Sequence, residues 1–217
     1  MSSAYDCNTP VDIADEPHHH LVIANEYVRA FAVDVPPRTR TLCHRHPHNY
    51  VLFVAAGAEI ISAAREEEPK KLNYVAGECE LSKAGLVHVV ENLSETAFRN
   101  VVVELKPRAE ELRRGVEPVL LAGEAAIERI LRENLAEAII IDLSPGGEVE
   151  IAGPAVLAAP YAPVMVKELD EYNIPLDDFR KMIWVCAPRK VGVRNAGAGP
   201  TKVVVVKVGG VRLTTYE

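Results

Sequence analysis

The chain has no run of 18 apolar residues, so its sequence offers no helix able to span a bilayer. Its first 17 residues, MSSAYDCNTPVDIADEP, hold acids and prolines without an apolar centre, which argues against a secretory signal. A basic stripe is absent too. The net charge of −7 divides into 15 acidic and 11 basic side chains over residues 1–108, and 16 and 13 over residues 109–217. Neither half carries the electrostatic footprint that nucleic acid or an anionic membrane requires. The one charge run, REEEPKK (65–71), mixes both signs and reads as a solvated loop. Cys7, Cys43, Cys79 and Cys186 form no CxxC pair, and free thiols in a reducing cytoplasm are the expectation. Helical periodicity is confined to one stretch, residues 107–134.

What remains is a soluble, globular composition, 48% hydrophobic and 25% charged, with a period of two. YVRAFAVDV (27–35), YVLFVAA (50–56), AEIISAA (58–64) and FRNVVVEL (98–105) are rich in Val, Ile and aromatics and are separated by Pro and Gly turns. EAIIIDL (137–143), APVMVKEL (162–169), KMIWVCA (181–187) and TKVVVVKV (201–208) repeat the texture. Short strands at this spacing predict an antiparallel sandwich or barrel. A weak repeat lays 24–45 over 133–154 and HVVENLSETAFRNVVVEL (88–105) over VGVRNAGAGPTKVVVVKV (191–208), which predicts two modules. The expected boundaries are a barrel over 1–108, a helical linker over 109–134 and a second barrel over 135–217.

The chemistry concentrates in CHRHPHNYV (43–51). All seven histidines fall at or before His88, so the second module repeats the strands without any imidazole. His44 and His46, two residues apart in a strand, project from one face, and His88 after the Ala84-Gly85 turn is available to meet them. Three neutral imidazoles suit Zn, Fe(II), Ni or Cu rather than Mg or Ca, and they leave positions open on the ion. His48 reads either as a fourth ligand or as a rim residue beyond Pro47. Tyr50 is either a proton or hydrogen-bond donor at the site or a packed barrel tyrosine. His18 to His20 read better as a solvent-exposed tract than as ligands. Arg29 is either an anion-binding group in the barrel or an outward arginine.

HRHPHNY followed by Gly57 resembles the first cupin motif, G(X)5HXH(X)3,4E(X)6G. GECELSKAGLVHVVEN (77–92) is similar to the second, G(X)5PXG(X)2H(X)3N. The resemblance spans roughly residues 20–106 with motifs and 124–209 as a strand pattern only. It implies an all-β bicupin of two double-stranded β-helix (jelly-roll) barrels, the second degenerate and metal-free. It also implies one divalent metal (Fe, Ni or Zn) on His44, His46 and His88. Tyr50 stands where the motif has its glutamate, Lys83 where it has its proline, and Arg38 near its first glycine. A three-histidine set of this kind resembles cupins that cleave thiols or diketones with O₂. The expected function is therefore a small-molecule metalloenzyme, dioxygenase-like, with Tyr50 and His48 as catalytic candidates. The alternative is a non-catalytic ligand- or metal-binding cupin. The expected partners are a small molecule and a second copy in a homodimer, with no nucleic acid and no membrane.

Overall fold

A computed structural model describes residues 5, 7–113, 126–132, 136–159, 164–168, 171–186 and 189–208. The chain divides into two compact units, Met1–Ala24 with Arg29–Glu104, and Asn25–Val28 with Leu105–Glu217. Each contains two β-sheets. Among the described residues no helix is long and apolar enough to cross a membrane.

The first unit contains β1 (Val11–Asp12), β2 (His19–Ala24), β3 (Val28–Val35), β4 (His44–Arg45), β5 (Asn49–Ala56), β6 (Ala58–Ala64), β7 (Lys70–Tyr74), β8 (Cys79–Ser82), β9 (Val87–Asn92) and β10 (Phe98–Leu105). One sheet runs β1-β4-β9-β6-β7, the other β2-β3-β10-β5-β8. Alternation along these strands turns Phe31, Val33, Val35, Tyr50, Val54, Ile60, Phe98 and Val102 into one core. Phe31 is fully buried, and truncating such a ring to alanine costs about 3–5 kcal/mol. The turn into β6 needs glycine, because a Cβ on Gly57 would lie 2.2 Å from the Tyr74 carbonyl oxygen.

The second unit holds β11 (Ala126–Arg132), β12 (Ala136–Leu143), β13 (Glu148–Ala152), β14 (Ala155–Ala158), β15 (Val164–Glu168), β16 (Glu171–Leu176), β17 (Met182–Val185), β18 (Lys190–Arg194) and β19 (Thr201–Val208). Its sheets run β11-β12-β19-β14-β17 and β13-β18-β15-β16. Strand for strand this is the order of the first unit, without a described counterpart of β1. The repeat is also visible in a side chain. Asn92 Nδ2 donates to the carbonyls of Val35 (3.0 Å), Pro36 (3.1 Å) and Thr96 (2.8 Å). Asn195 Nδ2 does the same to Leu143 (2.9 Å) and Gly199 (2.8 Å). Both amides are buried and tie a turn to the end of a strand.

Two expectations are corrected. Residues 126–132, assigned to the helical linker, form β11, antiparallel to β12 with a register shift between Arg129 and Leu131. The shift breaks the period of two there, which is why AIERILR looks helical in isolation. Pro107–Arg113 does form a 3-10 helix, and residues 114–125 and 133–135 of that linker lie outside the described residues. The cysteines are not all free thiols: Cys7 and Cys43 form a disulfide with Cα atoms 5.3 Å apart, while Cys79 and Cys186 are free.

Candidate metal centre

Four histidines converge inside the first barrel. β4 carries His44, and its antiparallel pairing with β9 sets His44 opposite His88. His46 follows two residues on, held by its backbone N–H to the Leu86 carbonyl at 2.9 Å. His19 arrives from β2. His19, His46 and His88 are 8%, 2% and 7% exposed, and His44 is fully buried, so bulk solvent does not reach their nitrogens freely. One nitrogen each of His19, His44 and His46 lie within 4.8 Å of one another. His88 Nε2 is 3.3 Å from His46 Nε2.

Three of the four Nδ1 atoms are held on the outer side. His19 Nδ1 lies 2.5 Å from Glu16 Oε2, and the carboxylate can only accept, so Nδ1 donates and the lone pair is left on Nε2. His44 Nδ1 donates to the Leu42 carbonyl at 2.9 Å, and its buried Nε2 has no partner. His88 Nδ1 meets the Ser62 hydroxyl at 3.2 Å. His46 Nδ1 is the exception: it has no hydrogen-bond partner and faces Glu104 Oε1 only at 3.7 Å, while the same carboxylate receives Arg29 through Oε2 at 2.6 Å. Fixing one ring nitrogen to orient the other is how metal-binding imidazoles are held.

One edge of the donor set and one orphaned nitrogen match a bound ion. A tetrahedral ion with Zn–N bonds near 2.05 Å has an edge of about 3.3 Å, which is the His46–His88 separation. The orphaned Nε2 of His44 is the second sign, since a buried acceptor without a donor costs about 1–3 kcal/mol. Burial, then the neighbouring His19, pushes His44 down to about 4. Burial, then the adjacent imidazoles, pushes His46 and His88 well below the ordinary range. Neutral imidazole is the ligating form.

A cavity of about 280 Å³ opens on His19, His46 and His88, with His44 behind them. Val33, Leu52, Ile60, Leu86 and Phe98 contribute its apolar wall. Tyr50 lines it too, stacked on His46 with ring centroids 4.1 Å apart. Burial pushes its phenol up to about 12, so Tyr50 stays protonated and can donate.

Of the sequence candidates, His44, His46, His88 and Tyr50 come together. His48, in the turn between β4 and β5, is half-buried and lines neither the cluster nor the cavity. His19 corrects the reading of 18–20 as a solvent tract. His19 opens β2 as a buried residue, while His20 and Leu21 after it are exposed, so the tract divides within one strand. Arg29 lies in the barrel, where it pairs with Asp12 and Glu104. Glu16 and Glu104, both fully desolvated at their carboxylates, carry no motif in the sequence.

No family model and no curated protein matches the chain. Solved structures do match in fold. A cupin 2 conserved barrel domain protein from Leptotrichia buccalis aligns at TM-score 0.57 and 11% identity, covering 92% of this chain and 91% of its own. Vicilin from Solanum melongena aligns at TM-score 0.63 and 9% identity, over 85% and 74%. A salicylate 1,2-dioxygenase from Pseudaminobacter salicylatoxidans aligns at TM-score 0.59 and 13% identity, over 88% and 76%. These likenesses are of fold alone: two jelly-roll barrels in one chain, as in the cupin 2 conserved barrel domain protein.

Proposed function

We propose that the first barrel is a metal-dependent enzyme acting on a small organic molecule, with O₂-dependent cleavage as its specific chemistry. The observation that carries this reading is the set of four buried imidazoles, three of them held through their outer nitrogens, beside a mostly apolar cavity. His44, His46 and His88, with His19 as a fourth donor, would hold one divalent transition metal such as Fe, Ni or Zn. The ion would supply Lewis acidity, and in the case of iron a redox centre, with its positive charge uncompensated by neutral ligands.

The remaining work falls to the protein's own groups. The apolar wall excludes water around a bound ligand. Tyr50 donates a hydrogen bond to a ligand oxygen beside His46 and keeps its proton across the physiological range. A dioxygenase of known structure shares the fold, which is compatible with this chemistry and does not specify a substrate.

The test is elemental analysis of untagged protein, wild type and the His44→Ala, His88→Ala and His19→Ala variants, followed by O₂ uptake on the loaded form. About one transition metal per chain, lost in the first two variants and weakened in the third, is the expected result. Wild type that neither carries nor takes up Fe, Ni or Zn overturns it. Bound metal without turnover over a broad substrate set leaves a non-catalytic ligand-binding cupin.

A further inference from the structure

The cavity continues outward. Leu52, Leu72, Tyr74 and Glu80 line both it and a second hollow of about 420 Å³, which adds Asn73, Glu78 and Cys79. Two carboxylates edge this adjoining hollow: Glu80, shared with the cavity, and Glu78, whose Oε2 accepts from Val75 N at 3.0 Å. Tyr74 fixes one of them, its hydroxyl donating to Glu80 Oε1 at 3.1 Å. Among the described residues no lysine or arginine lines either space. Arg29, whose charge acts on His46, has its guanidinium taken up by Glu104 and Asp12.

An anionic ligand would then have one attractive charge, the metal, and would need it for its donor atoms. Any second negative group would find neutral donors such as Thr41, Ser62, Ser82 and Asn100, apolar walls, or Glu78 and Glu80, and no cation to balance it. A buried charge without a countercharge is expensive even when hydrogen-bonded, and the like charges of Glu78 and Glu80 add to that cost. Size narrows the class further. At about 280 Å³ the cavity sits at the small end of ligand pockets, which run from about 300 to about 1,000 Å³, and this favours a single ring with a short substituent.

We infer that the site selects small, largely apolar molecules of about ten non-hydrogen atoms. Such a molecule carries its oxygen or sulfur donors at one end and no anionic group at the other. The inference rests on the metal-site reading above and adds the substrate class to it. It sets this cavity against di- and tricarboxylates and against aromatic acids whose carboxylate would point outward.

The probes are three catechols with one shared metal-binding head: 4-methylcatechol, 3,4-dihydroxybenzoate and 3,4-dihydroxybenzylamine. Binding is measured by titration calorimetry on zinc-loaded, redox-inert protein, with zinc content determined first. The expected result is 4-methylcatechol and the benzylamine binding about tenfold or more tighter than the benzoate. The Glu78→Gln/Glu80→Gln double variant should narrow that gap to about threefold or less and leave zinc content unchanged. Benzoate binding as tightly as 4-methylcatechol overturns the selectivity, and so does failure of all three to bind loaded protein. Protein that takes up no zinc at all instead overturns the metal site, and the zinc determination separates the two failures.

Discussion

Glu16 is a single buried carboxylate on which the fourth imidazole depends. Its Oε2 accepts from His18 N at 2.8 Å and His19 Nδ1 at 2.5 Å, and its Oε1 accepts from Leu42 N at 3.2 Å. Burial raises its pKa, but the hydrogen bonds from His19, Leu42 and His18 outweigh that and hold the carboxyl below its ordinary value. Glu16→Gln keeps the shape and removes this arrangement. If the amide oxygen faces His18 and His19, its NH₂ opposes the Leu42 N–H. If the amide is reversed, NH₂ donates to His19 Nδ1 and drives the ring proton onto Nε2, the atom that faces the other imidazoles. Either way one buried donor loses its acceptor, at about 1–3 kcal/mol of stability. Loss of an orienting partner of this kind weakens metal binding by about 10–100-fold, or about 1.4–2.7 kcal/mol. The assay is zinc Kd by competition with a chromophoric chelator, alongside urea unfolding of the metal-free protein. His19→Ala should weaken zinc at least as much. A Glu16→Gln protein with zinc Kd within twofold of wild type would refute the assignment of His19 to the metal.

Metal-free protein should lose stability as pH falls through the window from about 6.5 to about 4. There the unfolded chain binds a proton on His44 that the folded barrel refuses, so stability rises with pH up to about 6.5 and is flat above. The contribution of His44 is about 3 kcal/mol across that window, read as a shift in urea midpoint between pH 7.5 and 4. Cys7→Ser removes a cross-link between residues 36 apart and should cost about 3–4 kcal/mol, measured by urea unfolding under non-reducing conditions. Asn195→Ala strips two carbonyls and the Gly197 N–H of their partner and should cost about 2–4 kcal/mol in thermal or urea unfolding, with zinc Kd unchanged within twofold. A His44→Ile/His88→Val double variant should fold, bind no zinc and melt above metal-free wild type in calorimetry.

Most of the barrel was legible because its strands keep a period of two between clear turns, and because the cupin-like motifs set His44, His46 and His88 at readable spacings. The structure shows why the spacing works: His44 and His88 face each other across the β4–β9 ladder. What could not be read depends on contacts distant in sequence. Glu16 reaches Leu42 N across 26 positions, and Arg29 meets Glu104 across 75. Neither carboxylate sits in a pattern that distinguishes it from a solvated one. Cys7 and Cys43 lack the spacing of a metal or redox motif. They meet because β1 runs parallel to β4, with Val11 opposite His44 and Val11 N–H bonded to the Cys43 carbonyl. β11 was misread for a local reason, its register shift.

The second barrel serves as an internal control for the first. Laying Asn92 on Asn195 puts His88 on Val191, and Val191 pairs with Ile151 as His88 pairs with His44. Val191 and Ile151 belong to a continuous aliphatic core. One topology therefore accepts either a branched aliphatic pair or an imidazole pair at the same place in its ladder, so the fold itself does not require histidine there. The imidazoles are the costlier choice without a ligand, since burial opposes their charge and His44 Nε2 has no partner. The first barrel also has β1, the Cys7–Cys43 bridge and Glu16, for which the described residues of the second offer no counterpart. Each of these additions bears on the histidines: β1 pairs beside His44, the bridge ends one residue before it, and Glu16 holds His19. The features that distinguish the first barrel thus gather at one cluster, where a bound cation would satisfy the lone pairs that the protein leaves facing one another.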